Sequence, residues 1–133
     1  MANIGLGAYK SMLDWSLKTS SIATPAAMFV GLSLGAPTTI SFSEIAAGSG
    51  YTRQSMAFAA AATPAGSASA SNSTAATFGT VSSSAVISGI FLADSTSIAA
   101  GSMLWYGTVA TLRTPLPGDT VILAAGALAI TLS

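Results

Sequence analysis

The sequence predicts a mainly β protein, an antiparallel, jelly-roll-like β-sandwich with one amphipathic helix at its N-terminus. Three observations predict it. Short apolar runs recur from residue 28 onward between Gly, Pro, Ser and Asn punctuation, the spacing of sandwich and barrel strands. The last run, residues 127–132, alternates Leu128, Ile130 and Leu132 with Ala127, Ala129 and Thr131, giving the one large apolar face of a sheet packed on one side. Only residues 3–18 show the helical period instead.

In that helix Leu6, Tyr9, Leu13 and Leu17 follow one another at spacings of three, four and four and form one stripe. Lys10, Asp14 and Lys18 form an adjacent ridge, in which Asp14 to Lys18 has the favourable orientation for an ion pair. Ala8, Met12 and Trp15 make a second, smaller apolar patch away from the first. Two apolar faces imply two contacts, so the helix either lies in a groove of its own domain or docks onto a neighbouring subunit.

The strands follow in order. Residues 28–34 are compact and apolar and are closed by Gly35, Ala36 and Pro37, a buried strand running into a turn. Residues 39–43 alternate, with Ile40 and Phe42 directed inward, and residues 53–59 alternate with Met56 and Phe58 on one face. Residues 60–74 are Ala, Ser, Thr and Gly with one Pro and one Asn, a composition that predicts a long surface loop. Residues 76–81, 86–93, 103–110, 120–123 and 127–132 read as further strands, with turns at Gly101, residues 115–119 and Gly126. The domain reading is therefore residues 1–18 as the helix and residues 19–133 as a single sandwich.

Composition narrows the function. Charged residues make up 6% of the 133-residue chain, against about 25% in an average soluble domain. With neither His nor Cys there is no imidazole base, thiolate nucleophile or ordinary zinc site, so no catalytic, cofactor-binding or metal-ligating residues are expected and the chain reads as a non-enzyme. Lys10, Lys18, Arg53 and Arg113 are scattered, which argues against nucleic acid. Residues 22–40 are the most apolar window but contain Pro25 and Pro37, so no membrane span is expected, nor is a signal peptide. A surface with so few charges is poorly defended against association.

The remaining candidates are residues suited to assembly. Arg53, in the run Gly50, Tyr51, Thr52, Arg53, Gln54, can pair with Asp94 or Glu44 within the subunit, stack on an aromatic ring, cap exposed carbonyls, or form an intersubunit pair. Trp105 and Tyr106 are consecutive in a strand, so their rings face opposite sides of the sheet, one toward a core and the other toward a surface or interface. Asp94 and Asp119 sit among turn residues and are expected to cap local backbone. Leu6, Tyr9, Leu13, Trp15, Leu17, Arg53, Trp105 and Tyr106 are thus the candidate interface set.

Three segments give the chain a resemblance. AMFVGLSLGAPT at residues 27–38, GYTRQ at residues 50–54, and the stretch from Gly89 to the closing AAGALAITL together resemble small tailed-bacteriophage virion proteins commonly called phage tail fibre proteins. The resemblance implies a virion structural protein, made in the host cytoplasm. A fibre shaft would show a short repeat or a heptad, and neither is present. The expectation is therefore a capsid decoration, or cement, protein on the head surface, bound to the major capsid protein or another virion protein and itself a homotrimer. The alternative is a tail-tip or tail-fibre-associated protein contacting the host surface.

Overall fold

The computed structural model describes residues 2–17, 25–46, 49–63, 66–82, 84–98 and 100–132. The chain is mainly β, with every strand pairing antiparallel and one helix near the N-terminus. The strands are β1 (Ala2–Ile4), β2 (Phe29–Ser33), β3 (Gln54–Ser55), β4 (Ala68–Ser71), β5 (Ala76–Thr80), β6 (Ile87–Ala93), β7 (Met103–Arg113), β8 (Thr120–Leu123) and β9 (Ala129–Leu132); the helix α1 is Leu6–Ser16. Five strands form one sheet in the order β1-β7-β6-β2-β3, and two ribbons, β4-β9 and β5-β8, complete the second layer.

The main core lies between the layers. Alternation along β2 and β6 turns Val30, Leu32 and Leu92 toward the ribbons, where they meet Phe78 of β5 together with the half-buried Val121, Leu123, Leu128 and Ile130. The next residue along each strand points the other way. Phe91, Ala93 and Met103 form a smaller cluster on the opposite face of the five-stranded sheet, covered by Phe42 and Tyr106. The cross-strand pairs Leu92 with Trp105 and Phe91 with Tyr106 carry the same alternation into β7.

Several boundaries differ from the sequence reading, each for a local reason. Residues 2–4 form β1 on the edge of β7, so α1 begins at Leu6. The Gly5 N–H donates to the Leu104 carbonyl at 2.7 Å, and a Cβ at Gly5 would stand 2.2 Å from the Met103 carbonyl oxygen, so only glycine lets the chain turn this close to β7. Lys18, and with it the expected pair with Asp14, lies outside the described residues; Asp14 pairs with Lys10.

Ile40 does not turn inward. Thr38 and Ser41 bond to each other through backbone and side chains, so this stretch is a turn and Ile40 is left 78% exposed, while Phe42 does enter, stacked on Phe91 with ring centroids 4.1 Å apart. Part of the expected loop at residues 60–74 is strand: β4 pairs with β9, and Ala62 and Ser69 exchange both backbone hydrogen bonds at 2.8 Å. A ladder is made by the backbone, and side chains as small as Ala and Ser carry no pattern that reveals it. The closing strand starts only at Ala129, because residues 124–127 form a turn.

Candidate functional site

The helix is the first candidate surface. It has Gly5 as its N-cap with no side-chain cap, no acidic residue in its first turn, no basic residue in its last, and no buried residue. Gly7, Ala8 and Asp14 are its half-buried positions, so its small and polar edge faces the protein. Leu6, Tyr9, Met12, Leu13 and Trp15 are all exposed, as is Leu17 just beyond the helix, with Trp15 at 62% and Leu17 at 64%. Relative to its own domain the amphipathic helix is inside out. Of the two placements the sequence allows, the groove of its own domain is not the one observed.

Trp105 and Tyr106 face opposite sides of the sheet, as their adjacency in a strand requires. Trp105 packs against the main core and Tyr106 against the second cluster, and both are half-buried. The Tyr106 hydroxyl lies 3.2 Å from Thr39 Oγ1, which ties the turn before Phe42 to β7.

Arg53 belongs to the interior. Its side chain is completely shielded from solvent and its Nε and Nη2 donate to the two oxygens of Glu44 at 2.7 and 2.8 Å. Nη1 donates to the carbonyls of Ser95 and Ala100 at 2.8 and 2.9 Å, and the guanidinium lies over the Phe91 ring at 5.1 Å and the Phe42 ring at 5.8 Å. Of the two intramolecular partners the sequence offers, Glu44 is the one used. The Asp94 carboxylate instead accepts the Ser102 N–H at 2.7 Å, closing its own loop, and Asp119 accepts the Leu116 N–H at 2.8 Å within a tight turn.

Tyr51 does not stack on Arg53; it shares Glu44 with it. The extended chain places residues two apart on one side, and the Tyr51 hydroxyl donates to Glu44 Oε1 at 2.9 Å while accepting the Leu32 N–H at 3.0 Å. Burial pushes the phenol above the usual tyrosine range, and the neighbouring Glu44 charge adds to the shift. Gly50 precedes it with φ of 80°, at a point where a Cβ would stand 2.0 Å from the Thr80 carbonyl oxygen. The run Gly50 to Arg53 therefore builds a structural strut, with no buried side-chain polar atom left unpaired among the described residues.

Asn72 is a further residue that sequence reasoning missed. It is buried, its Nδ2 donates to the Thr74 and Ala124 carbonyls at 2.8 and 2.9 Å, and its Oδ1 accepts the Leu128 N–H at 2.8 Å. It pins the turn between β8 and β9 to the junction of β4 and β5. A lone Asn between serines carries the signal of a loop, and nothing in the local sequence marks it as a clamp.

Among the described residues there is no cluster of three or more His, Cys, Asp or Glu side chains placed to hold a metal, and no helix long and apolar enough to cross a membrane. A search of curated proteins finds no match to the chain. A family model described as Podophage GP4 fiber I protein gp80 matches residues 7–131, from the first turn of α1 to β9. By that match the chain belongs to the podophage fiber I protein family, and it is a bacteriophage structural, fibre-associated protein.

Proposed function

We propose that this protein is a tail-fibre-associated subunit of the virion that works by burying surface and carries out no chemistry. The observation that carries the reading is the inside-out helix in a chain of a fibre family: its large apolar side chains, on both of its apolar patches, are turned away from its own domain, where another virion protein can cover them. An 11-residue helix with no side-chain cap is marginal without packing, so a partner would stabilise the segment it covers. The domain behind it is held by its own core and strut, which leaves the loops at the ends of the strands available to meet the host surface.

Family membership supports this reading over decoration of the head, which rests only on the compactness of the domain and the lack of a repeat. Copy number separates the two. A fibre- or tail-tip-associated protein is expected at roughly three to twelve copies per particle, following tail symmetry, whereas a head-coating protein is present in hundreds. Gel densitometry of purified particles against the major capsid protein measures it. A count in the hundreds, with label on the head in immunogold micrographs, would overturn the tail assignment.

A further inference from the structure

Along one side of the sandwich the two layers do not close. Between the C-terminal half of β7 and the strands β8 and β9 runs a half-open groove of about 600 Å³. Its walls take in residues 105–111 and 113, residues 121–124 and residues 127–130. Successive residues of a strand point to opposite faces, so one face of a strand lends a wall only every second residue. Walls made of consecutive residues are therefore strand edges, with the backbone itself turned toward the groove.

Those edges are open. β1 pairs with β7 only as far as Gly107, and between Thr108 and Arg113 four residues of β7 stand against Ser88 alone, so residues 109–112 have no strand partner on either side among the described residues. β8 has β5 as its one neighbour and β9 has β4, and the second edge of each is also without a strand among the described residues. The lining reaches down to the buried Leu32, Phe78 and Leu92 of the main core. An apolar cleft bordered by unpaired backbone N–H and C=O groups is complementary to an extended peptide, which supplies donors and acceptors along its length and apolar side chains at alternate residues. An acyl chain fills such a cleft but leaves its edges unpaired.

Charge narrows the occupant further. Among the described residues Arg113 is the one charged residue along the groove, and it has neither a carboxylate nor a hydrogen-bond partner there. The four side-chain carboxylates of the chain are all engaged elsewhere: Asp14 with Lys10, Glu44 with Arg53, Asp94 with the Ser102 N–H and Asp119 with the Leu116 N–H. The acid that complements Arg113 therefore comes from another polypeptide. We propose that the groove receives an extended acidic segment of another virion protein, which adds as a strand along the open edges of β7, β8 and β9, seats alternate apolar side chains between the layers and places a carboxylate against Arg113. The inference rests on membership in a virion structural family and on neither α1 nor the tail assignment, so the copy number that decides the tail assignment leaves it untouched.

Peptide binding tests it. The probes are overlapping peptides of about a dozen residues, long enough to hold one strand, that tile the proteins of the purified particle, this chain included. Fluorescence anisotropy with the purified protein is expected to find segments of another virion protein that bind and that carry an acidic residue beside alternating apolar ones. Arg113→Glu is expected to weaken them about tenfold. Thr111→Trp, which fills the groove from an exposed position, is expected to weaken them at least about 30-fold. Circular dichroism melts verify that both variants are folded.

A second readout uses the wild-type protein alone and so does not depend on the variants. Methylating alternate backbone nitrogens of a bound peptide removes the donors that an added strand gives to an edge, and in at least one of the two registers this is expected to abolish binding. The amides of residues 109–112 are expected to gain protection from hydrogen exchange in the complex. Four results would each overturn the proposal: no virion peptide binds, with dodecanoate filling the groove in its place; the only segments bound belong to this chain, which makes the occupant a second copy; both variants bind as the wild type does; or both methylated forms bind as well as the parent peptide, which means that side chains alone hold it.

Discussion

Glu44 receives Arg53 through both of its carboxylate oxygens, at 2.7 Å from Nε and 2.8 Å from Nη2, with the Glu44 side chain 4% and the Arg53 side chain 0% exposed. A pair this deep is held by geometry on all sides, and its removal in halves is far more damaging than its removal whole. Glu44→Gln strands a buried guanidinium and Arg53→Met strands a buried carboxylate, so each is expected to cost about 3–5 kcal/mol. The double variant is expected to cost less than the sum of the two. Urea unfolding of the four proteins measures this, and simple additivity would mean that the ion pair does not couple the two residues.

The same cluster predicts a limit at alkaline pH. Burial holds the Tyr51 phenol above its ordinary range, so the folded protein keeps the proton at a pH where the unfolded chain has lost it. Stability from this source is fully present below the unfolded value of about 10 and declines as pH rises beyond it, by up to about 1.4 kcal/mol per pH unit. Tyr51→Phe, which has no proton to lose, is expected to start less stable because the Leu32 N–H loses its acceptor, but to fall less steeply above pH 10. Parallel slopes for the two proteins between pH 9 and 12 would contradict it.

The run GYTRQ shows what the sequence makes legible and what it does not. Its alternation and its basic residue mark Arg53 as a cation that pairs with Asp94 or Glu44, meets an aromatic ring or carbonyls, or reaches another subunit, and spacing along the chain cannot choose among partners that folding brings together. The choice is made by Asp94, whose oxygen is engaged by the Ser102 N–H, and by the reach of Tyr51 and Arg53 from one side of an extended segment. Trp105 and Tyr106 were legible because strand alternation is local. The ladder of β4 on β9 was not, because it is written in backbone groups of residues whose side chains are nearly uniform. For α1 the period reveals that an apolar face exists, yet which way the face turns depends on the close approach at Gly5, a tertiary fact.

Asn72 carries the next expectation. Three side-chain hydrogen bonds and two backbone ones, from Asn72 N to Leu128 O at 3.0 Å and from Gly126 N to Asn72 O at 2.8 Å, converge at this residue. Asn72→Leu leaves the Leu128 N–H and the Thr74 and Ala124 carbonyls without their side-chain partner; the carbonyls of the exposed Thr74 and Ala124 can turn to water, while a group that stays buried and stranded costs about 1–3 kcal/mol. The turn at residues 124–127 is expected to loosen first. Limited proteolysis should then cut there in the variant before anywhere else, and the Ala124 to Leu128 amides should lose protection from hydrogen exchange while β2 and β6 keep theirs. Uniform loss across all strands would mean that Asn72 supports the whole fold and not this turn.

Leu13 and Trp15 test the orientation of α1 apart from any question of assembly. In a helix packed on its own core, replacing a large apolar residue of the packed face costs about 2–5 kcal/mol. Here both side chains are exposed, at 58% and 62%, and the helix contributes no buried residue. Gln is a good helix former, so Leu13→Gln with Trp15→Gln is expected to change the unfolding free energy of dilute, monomeric protein by no more than about 0.5 kcal/mol. Phe78→Ala, in the main core and fully buried, serves as the contrast and is expected to cost about 3–5 kcal/mol under the same conditions. If the helix variant lost as much as the Phe78 variant, the apolar arc would be covered within the single chain, and a helix so covered would have nothing to offer a partner.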